Sequence, residues 1–147
     1  MLTTNSITAS RLLTIISTLG FLLFSLFTTS SCSYTPEALD SLDKTLKAYE
    51  RAIRWGDFKF ARELQKNPLE ISDYQRIRLK SIRVTSYKII SKVIAPDLSR
   101  TTLIADIRYY LDSSAVERVI TDRQTWLYDE KVDRWQLDSS FPEFKFH

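Results

Sequence analysis

Two side chains with distinctive chemistry occur once each in the 147 residues: Cys32 is the only cysteine and His147 the only histidine. A Ser-His-Asp or Cys-His nucleophile system would have to be built on a histidine that stands last in the sequence. A structural zinc site needs four Cys or His ligands, and one of each is too few. The glycines number two, Gly20 and Gly56, which excludes phosphate cradles made from a glycine-rich turn. No metal and no cofactor is expected.

What remains is carboxylate, guanidinium and phenol chemistry. Asp106 lies in the middle of a β-branched stretch, where a buried carboxylate would have its pKa raised and could work as a general base. Arg108 and Tyr110 fall on the same strand face and could orient a polar ligand there; the alternative is a solvent face on which Asp106 is paired. Arg123 stands between Thr121 and Thr125. If that face lines a pocket, it supplies a permanent positive charge for an anionic ligand; otherwise it is surface. From Tyr74 to Pro96 there are six basic residues, Arg76, Arg78, Lys80, Arg83, Lys88 and Lys92, and no acidic one. Such a run can meet anionic lipid head groups or simply line a solvated edge.

The amino end says where these groups would work. Leu12–Phe27 is an uncharged, mainly apolar stretch preceded by Arg11 and followed by Thr28-Thr29-Ser30-Ser31-Cys32. That is the plan of a secretory signal: positive, apolar, then small residues. Sixteen residues fall short of the ~20 that span a bilayer comfortably, so an uncleaved span is the alternative. An unpaired thiol is unusual in an exported chain. The segment Thr29-Ser30-Ser31-Cys32 resembles the lipobox of bacterial lipoproteins, with Thr29 where such boxes usually carry Leu. The resemblance implies a signal peptide over 1–31, acylation of Cys32, a lipidated start and short linker over 32–35, and one domain over 36–147. Ser33 after the cysteine implies the outer membrane, facing the periplasm, and export argues against nucleic acid as a partner.

Removing the leader leaves 116 residues, enough for one domain with a real core. Thr35-Pro36-Glu37 reads as a helix start, and Leu39, Leu42, Leu46, Tyr49 and Ile53 form one apolar stripe, which predicts a helix over 36–55. Gly56 ends it, and Asp57 caps a short helix running toward Lys66 that carries Phe58, Ala61 and Leu64. Asn67-Pro68 breaks the chain, and Ser72 with Gln75 has capping-box spacing for a helix over 73–80. Strands follow at about 82–95, 101–112, 115–128 and 133–139, separated by turn signals. In the second, Leu103, Ala105, Ile107, Tyr109 and Leu111 share the face expected toward the core. Trp126 and Trp135 supply aromatic area in the last hairpin.

Helices first and an antiparallel meander after argue for an α+β domain, with a long N-terminal helix and short helices packed on a curved, cone-like four-stranded sheet. With Tyr49-Glu50-Arg51-Ala52-Ile53-Arg54-Trp55-Gly56-Asp57-Phe58 early and Asp133-Arg134-Trp135-Gln136-Leu137 late, this order resembles the nuclear transport factor two-like superfamily and the related cystatin-like cones. The resemblance implies a pocket between the first helix and the concave sheet face. It also implies dimerisation through the outer face, where alternating Ile82, Val84, Ile90 and Ile94 could serve either that contact or the core. Enzymes of that superfamily that pair Asp with His find no histidine to match in the resembling segment, about residues 36 to 140.

The expected function is a non-enzymatic, membrane-tethered envelope lipoprotein that binds a protein partner or a small hydrophobic ligand. The alternative is a small-molecule isomerase or dehydratase using a pocket carboxylate such as Asp106.

Overall fold

The computed structural model describes residues 36–146; Cys32, the expected leader over 1–31, the expected linker over 32–35 and His147 lie outside the described residues. Helix α1, Pro36–Trp55, carries Glu37 in its first turn and Arg54 in its last, which suits the helix dipole. Leu42, Leu46, Tyr49, Ala52 and Ile53 are buried along one stripe. Leu39, expected in that stripe, is exposed instead. Ala38 takes the inward position because Trp135 Nε1 donates to its carbonyl at 3.1 Å, and a small residue admits the indole.

Gly56 adopts φ +73°, the left-handed conformation that closes a helix without a Cβ penalty. The Asp57 amide then donates to the Ala52 carbonyl at 2.9 Å, while its carboxylate accepts from Phe60 N at 3.1 Å to start α2, Phe58–Glu63. This helix stops short of Lys66 because the chain leaves it for the sheet edge. The Lys66 amide donates to the Leu137 carbonyl, and the Leu137 amide to Leu64, each at 2.8 Å. Two backbone bonds to a strand compete successfully with one more helical turn before Asn67-Pro68. Helix α3, Asp73–Lys80, begins with the full capping box of Ser72 and Gln75 and buries none of its side chains.

Strands β1 (Ile82–Ile94), β2 (Arg100–Leu111), β3 (Ser114–Asp129) and β4 (Arg134–Leu137) form an antiparallel meander in that order. Register shifts between Val84 and Ser86 and between Ile89 and Ser91 bend β1, and another after Tyr109 bends β2 against β3. The sheet is thereby curved around α1, giving the α+β architecture expected from the order of elements.

The core faces α1. Leu103, Ala105, Ile107, Tyr109 and Leu111 point inward from β2, joined by Trp126, Trp135 and Leu137. The Tyr49 ring meets Trp126 edge-on at 5.3 Å. Large aromatic side chains contribute most to such a core through the area they remove from water. Ile82 is buried in it and Val84 and Ile94 pack against it, so of the four alternating residues of β1 only Ile90, beside the second bulge, stays on the surface. The tail after β4 closes the open end. Tyr109 Oη accepts from the Lys145 amide at 2.7 Å and donates to its carbonyl at 3.1 Å. Phe144 packs edge-on to Tyr109 at 5.0 Å and against Phe58 at 5.5 Å.

Candidate functional site: a buried polar network and the clefts of the helical end

Strand parity separates the residues singled out from the sequence. Ala105, Ile107 and Tyr109 turn inward, so Asp106, Arg108 and Tyr110 turn to the outer sheet face. Arg123 sits beside outward Ile104 and is exposed on that same face. The space between α1 and the sheet is therefore not lined by these four. Asp106 accepts from Thr121 Oγ1 at 2.9 Å. Arg108 contacts Glu117 at 3.3 Å, and the other oxygen of Glu117 accepts from Thr85 Oγ1 at 2.9 Å. These are cross-strand pairs on a solvated surface, worth little individually.

The carboxylate that does lie inside belongs to Asp122. Trp126 anchors the inward face of β3, and two-residue steps carry Gln124 and Asp122 inward with it. Asp122 is only 7% exposed. Gln124 organises the group: its Nε2 donates to Asp122 Oδ2 at 2.6 Å and to Tyr87 Oη at 2.7 Å, and its Oε1 accepts from Trp126 Nε1 at 2.9 Å. Tyr49 Oη is fully enclosed and has no partner among the described residues.

Burial raises the Asp122 carboxyl to about 6, against the opposing hydrogen bond from Gln124. Burial likewise pushes Tyr49 and Tyr87 above the usual phenol range, with the negative charge of Asp122 adding to both. Both phenols are thus neutral at any physiological pH, and Asp122 is the one member that titrates. Parity counted back from Trp126 was the sequence signal that picks out Asp122, since a large indole fixes which face of a strand is buried.

The clefts lie at the helical end. One, of about 640 Å³, runs between α2, the 64–72 connection and α3, with Phe58, Leu69, Ile71 and Leu79 in its lining and Lys59, Arg62, Arg76 and Lys80 among its charges, opposed by Asp57, Glu63 and Glu70. A second, of about 470 Å³, shares Arg62, Ile71 and Leu79 with it and continues along the tail past Phe141, Phe144 and Phe146. Here two guanidiniums are stacked on rings: Arg62 over Phe141 at 5.5 Å, and Arg78 over Phe146 at 4.0 Å and Tyr74 at 5.4 Å. A third, of about 450 Å³, joins Trp55, Lys80, Arg83 and Tyr110. The spacing of Phe141, Phe144 and Phe146 is the sequence signal that marks this tail as apolar.

The six basic residues of 74–96 divide. Arg76 pairs with Asp73 at 2.9 Å and Arg83 with Asp112 at 2.8 Å. Arg78 is stacked and Lys80 edges the clefts. Lys88 shares the outward row of Asp106. Lys92 is level with inward Leu103, and its charge joins that of Lys47 in holding Asp43 of α1 below the usual carboxylate range, Lys47 being the larger influence. Only the four from Arg76 to Arg83 occupy one end of the domain.

Among the described residues, no three His, Cys, Asp or Glu side chains converge in a way that could hold a metal ion, and no helix is long and apolar enough to cross a membrane. Comparisons with models of protein families, with curated proteins and with solved structures find no match.

Proposed function

We propose that this chain is an envelope lipoprotein, anchored through an acylated Cys32 and carrying a cone-like α+β domain of the nuclear transport factor two-like or cystatin-like kind, and that the domain is a non-enzymatic binding module for a protein partner or a small hydrophobic ligand. One observation carries the binding reading. The cleft of about 640 Å³ joins apolar Phe58, Leu69, Ile71 and Leu79 with charged side chains of both signs, and none of its lining residues is a Ser, Thr, Cys or His that a base could activate. The anchor rests on the Cys32 segment and on the single thiol.

Mass spectrometry of the mature N-terminus tests the anchor: a diacylglycerol-modified Cys32 supports it, and an unmodified cysteine, or a Cys32→Ala chain that still fractionates with membranes, rules it out. Native mass spectrometry of the protein taken from membranes, together with capture of cross-linked partners, tests the binding role. Loss of the bound species on changing Leu69 and Leu79 to Asp is the result expected. Asp122 favours a second reading, a proton-transferring isomerase or dehydratase, because a carboxyl at about 6 beside two phenols is suited to general acid–base work. Loss of a turnover on Asp122→Asn would be its signature.

A further inference from the structure

Tryptophan, leucine, tyrosine and isoleucine side chains left in water are costly on a small domain, and where they gather they mark a contact surface. The four most exposed large apolar residues among those described are Trp55 at 83%, Leu69 at 79%, and Tyr74 and Ile77 at 66% each. They sit at one end of the domain around Lys80. Trp55 lines one cleft with Lys80, Leu69 lines another with it, and Tyr74 and Ile77 precede it on α3 at steps of three residues. Helix α3 has no fully buried residue; Leu79 packs part-buried against the core, whereas Tyr74 and Ile77 turn to solvent and take no part in that packing.

The geometry points to a docking surface for an anionic phospholipid bilayer, formed by Trp55 at the end of α1, Leu69 and the exposed face of α3. Charge decides for lipid over an apolar protein groove. Four cations, Arg76, Arg78, Lys80 and Arg83, lie in one acid-free run beside these residues. Two of the four, Arg76 and Arg83, are paired with Asp73 and Asp112 at 2.9 and 2.8 Å, and Asp57, Glu63 and Glu70 border the surface, so the cations without a carboxylate partner among the described residues are Arg78 and Lys80. Apolar side chains beside free cations are how a domain enters a headgroup layer, with indole and phenol rings at the interface and each unpaired cation adding attraction. The inference rests on the proposed envelope location and adds to it a second, non-covalent contact.

Tryptophan fluorescence isolates that contact, since Trp126 and Trp135 are 0% and 1% exposed and only Trp55 can be reached by lipid. The chain is purified from membranes with its N-terminus as processed in the cell. It is then reconstituted into vesicles of phosphatidylglycerol and phosphatidylethanolamine, or of phosphatidylcholine alone, each with and without brominated acyl chains. Flotation reports the anchor; quenching by bromine reports docking. Quenching is expected in the anionic vesicles, with loss of the bromine-dependent component in Trp55→Phe. Lys80→Gln should lower the docked-to-undocked ratio about fivefold at low salt. Ile77→Asp should remove docking while circular dichroism stays unchanged. A chain that floats with the vesicles while Trp55 is equally bright with and without bromine overturns the inference and leaves the anchor standing. Quenching in anionic vesicles without flotation on phosphatidylcholine supports the surface and removes the anchor. Cross-linking of this face to an envelope protein in cells, with no quenching in vesicles, assigns it to a protein partner and overturns the inference.

Discussion

Replacing Asp122 by Asn should make the domain more stable at neutral pH, and the gain should disappear in acid. The side chain is almost out of contact with water, and among the described residues its one hydrogen bond comes from the neutral amide of Gln124 at 2.6 Å. Burial is the larger influence and lifts the carboxyl from 3.8 to about 6. A carboxyl whose folded value is raised contributes stability that is fully present below its unfolded value and is lost as pH climbs through its folded value. The window is therefore from about 4 to about 6. The gap between the two values corresponds to roughly 3 kcal/mol, a ceiling that relaxation and water entry reduce. Asn keeps the acceptor for Gln124 and carries no charge. Urea unfolding of both proteins at steps from pH 4 to pH 7.5 should give a difference near zero at the acid end, growing to roughly 1 to 3 kcal/mol in favour of Asn at the neutral end. Taking the difference cancels Asp43 and Asp97, whose values are lowered and which act in the opposite sense. A difference that stays constant across the range, or Asn being less stable at pH 7, would refute the claim that Asp122 bears a desolvated charge.

Three further outcomes follow from the packing. Gly56→Ala meets no close contact, the nearest atom being Phe58 Cε2 at 4.0 Å, so only the φ of +73° opposes it and the cost should be about 1 kcal/mol by thermal or urea unfolding. Trp135→Phe deprives the Ala38 carbonyl of its donor and leaves a gap under the start of α1, for an expected loss of roughly 2 to 3 kcal/mol by urea unfolding. Ser72→Ala removes half of the capping box and should cost about 1 kcal/mol locally, seen as faster amide exchange in α3 with little change in the global transition.

Local chemistry made the elements readable. Helix α1 ends at Trp55 and α3 spans 73–80 as their caps dictate, and each strand falls within two residues of its apolar, β-branched run. The exceptions are places where a distant partner overrides a local rule. Leu39 yields the inward position to Ala38 because an indole 97 residues away needs that carbonyl. Helix α2 stops at Glu63 because β4 offers Leu137 as a backbone partner. The interior polar network was legible only in part. Reading β3 from Thr121, Arg123 and Thr125 left the buried face open, whereas Trp126 fixes it and brings Asp122 inside. Tyr87 joins through the register of a bulged strand, which no local pattern encodes. The exposed cluster around Lys80 draws on three separate segments and appears only once the chain is folded.

The length of α1 bears on how a tethered domain would sit. Twenty helical residues extend about 30 Å, so Trp55 and Pro36 are that far apart. Three residues separate Cys32 from Pro36, a reach of roughly 14 Å when fully stretched. With the chain anchored at Cys32 and docked at Trp55, as proposed, both ends of α1 are fastened and the helix runs along the bilayer like a bar pinned at its tips. The anchor then supplies a high effective concentration of lipid to the far end, so a contact too weak to recruit a free protein suffices to fix the heading of a fastened one.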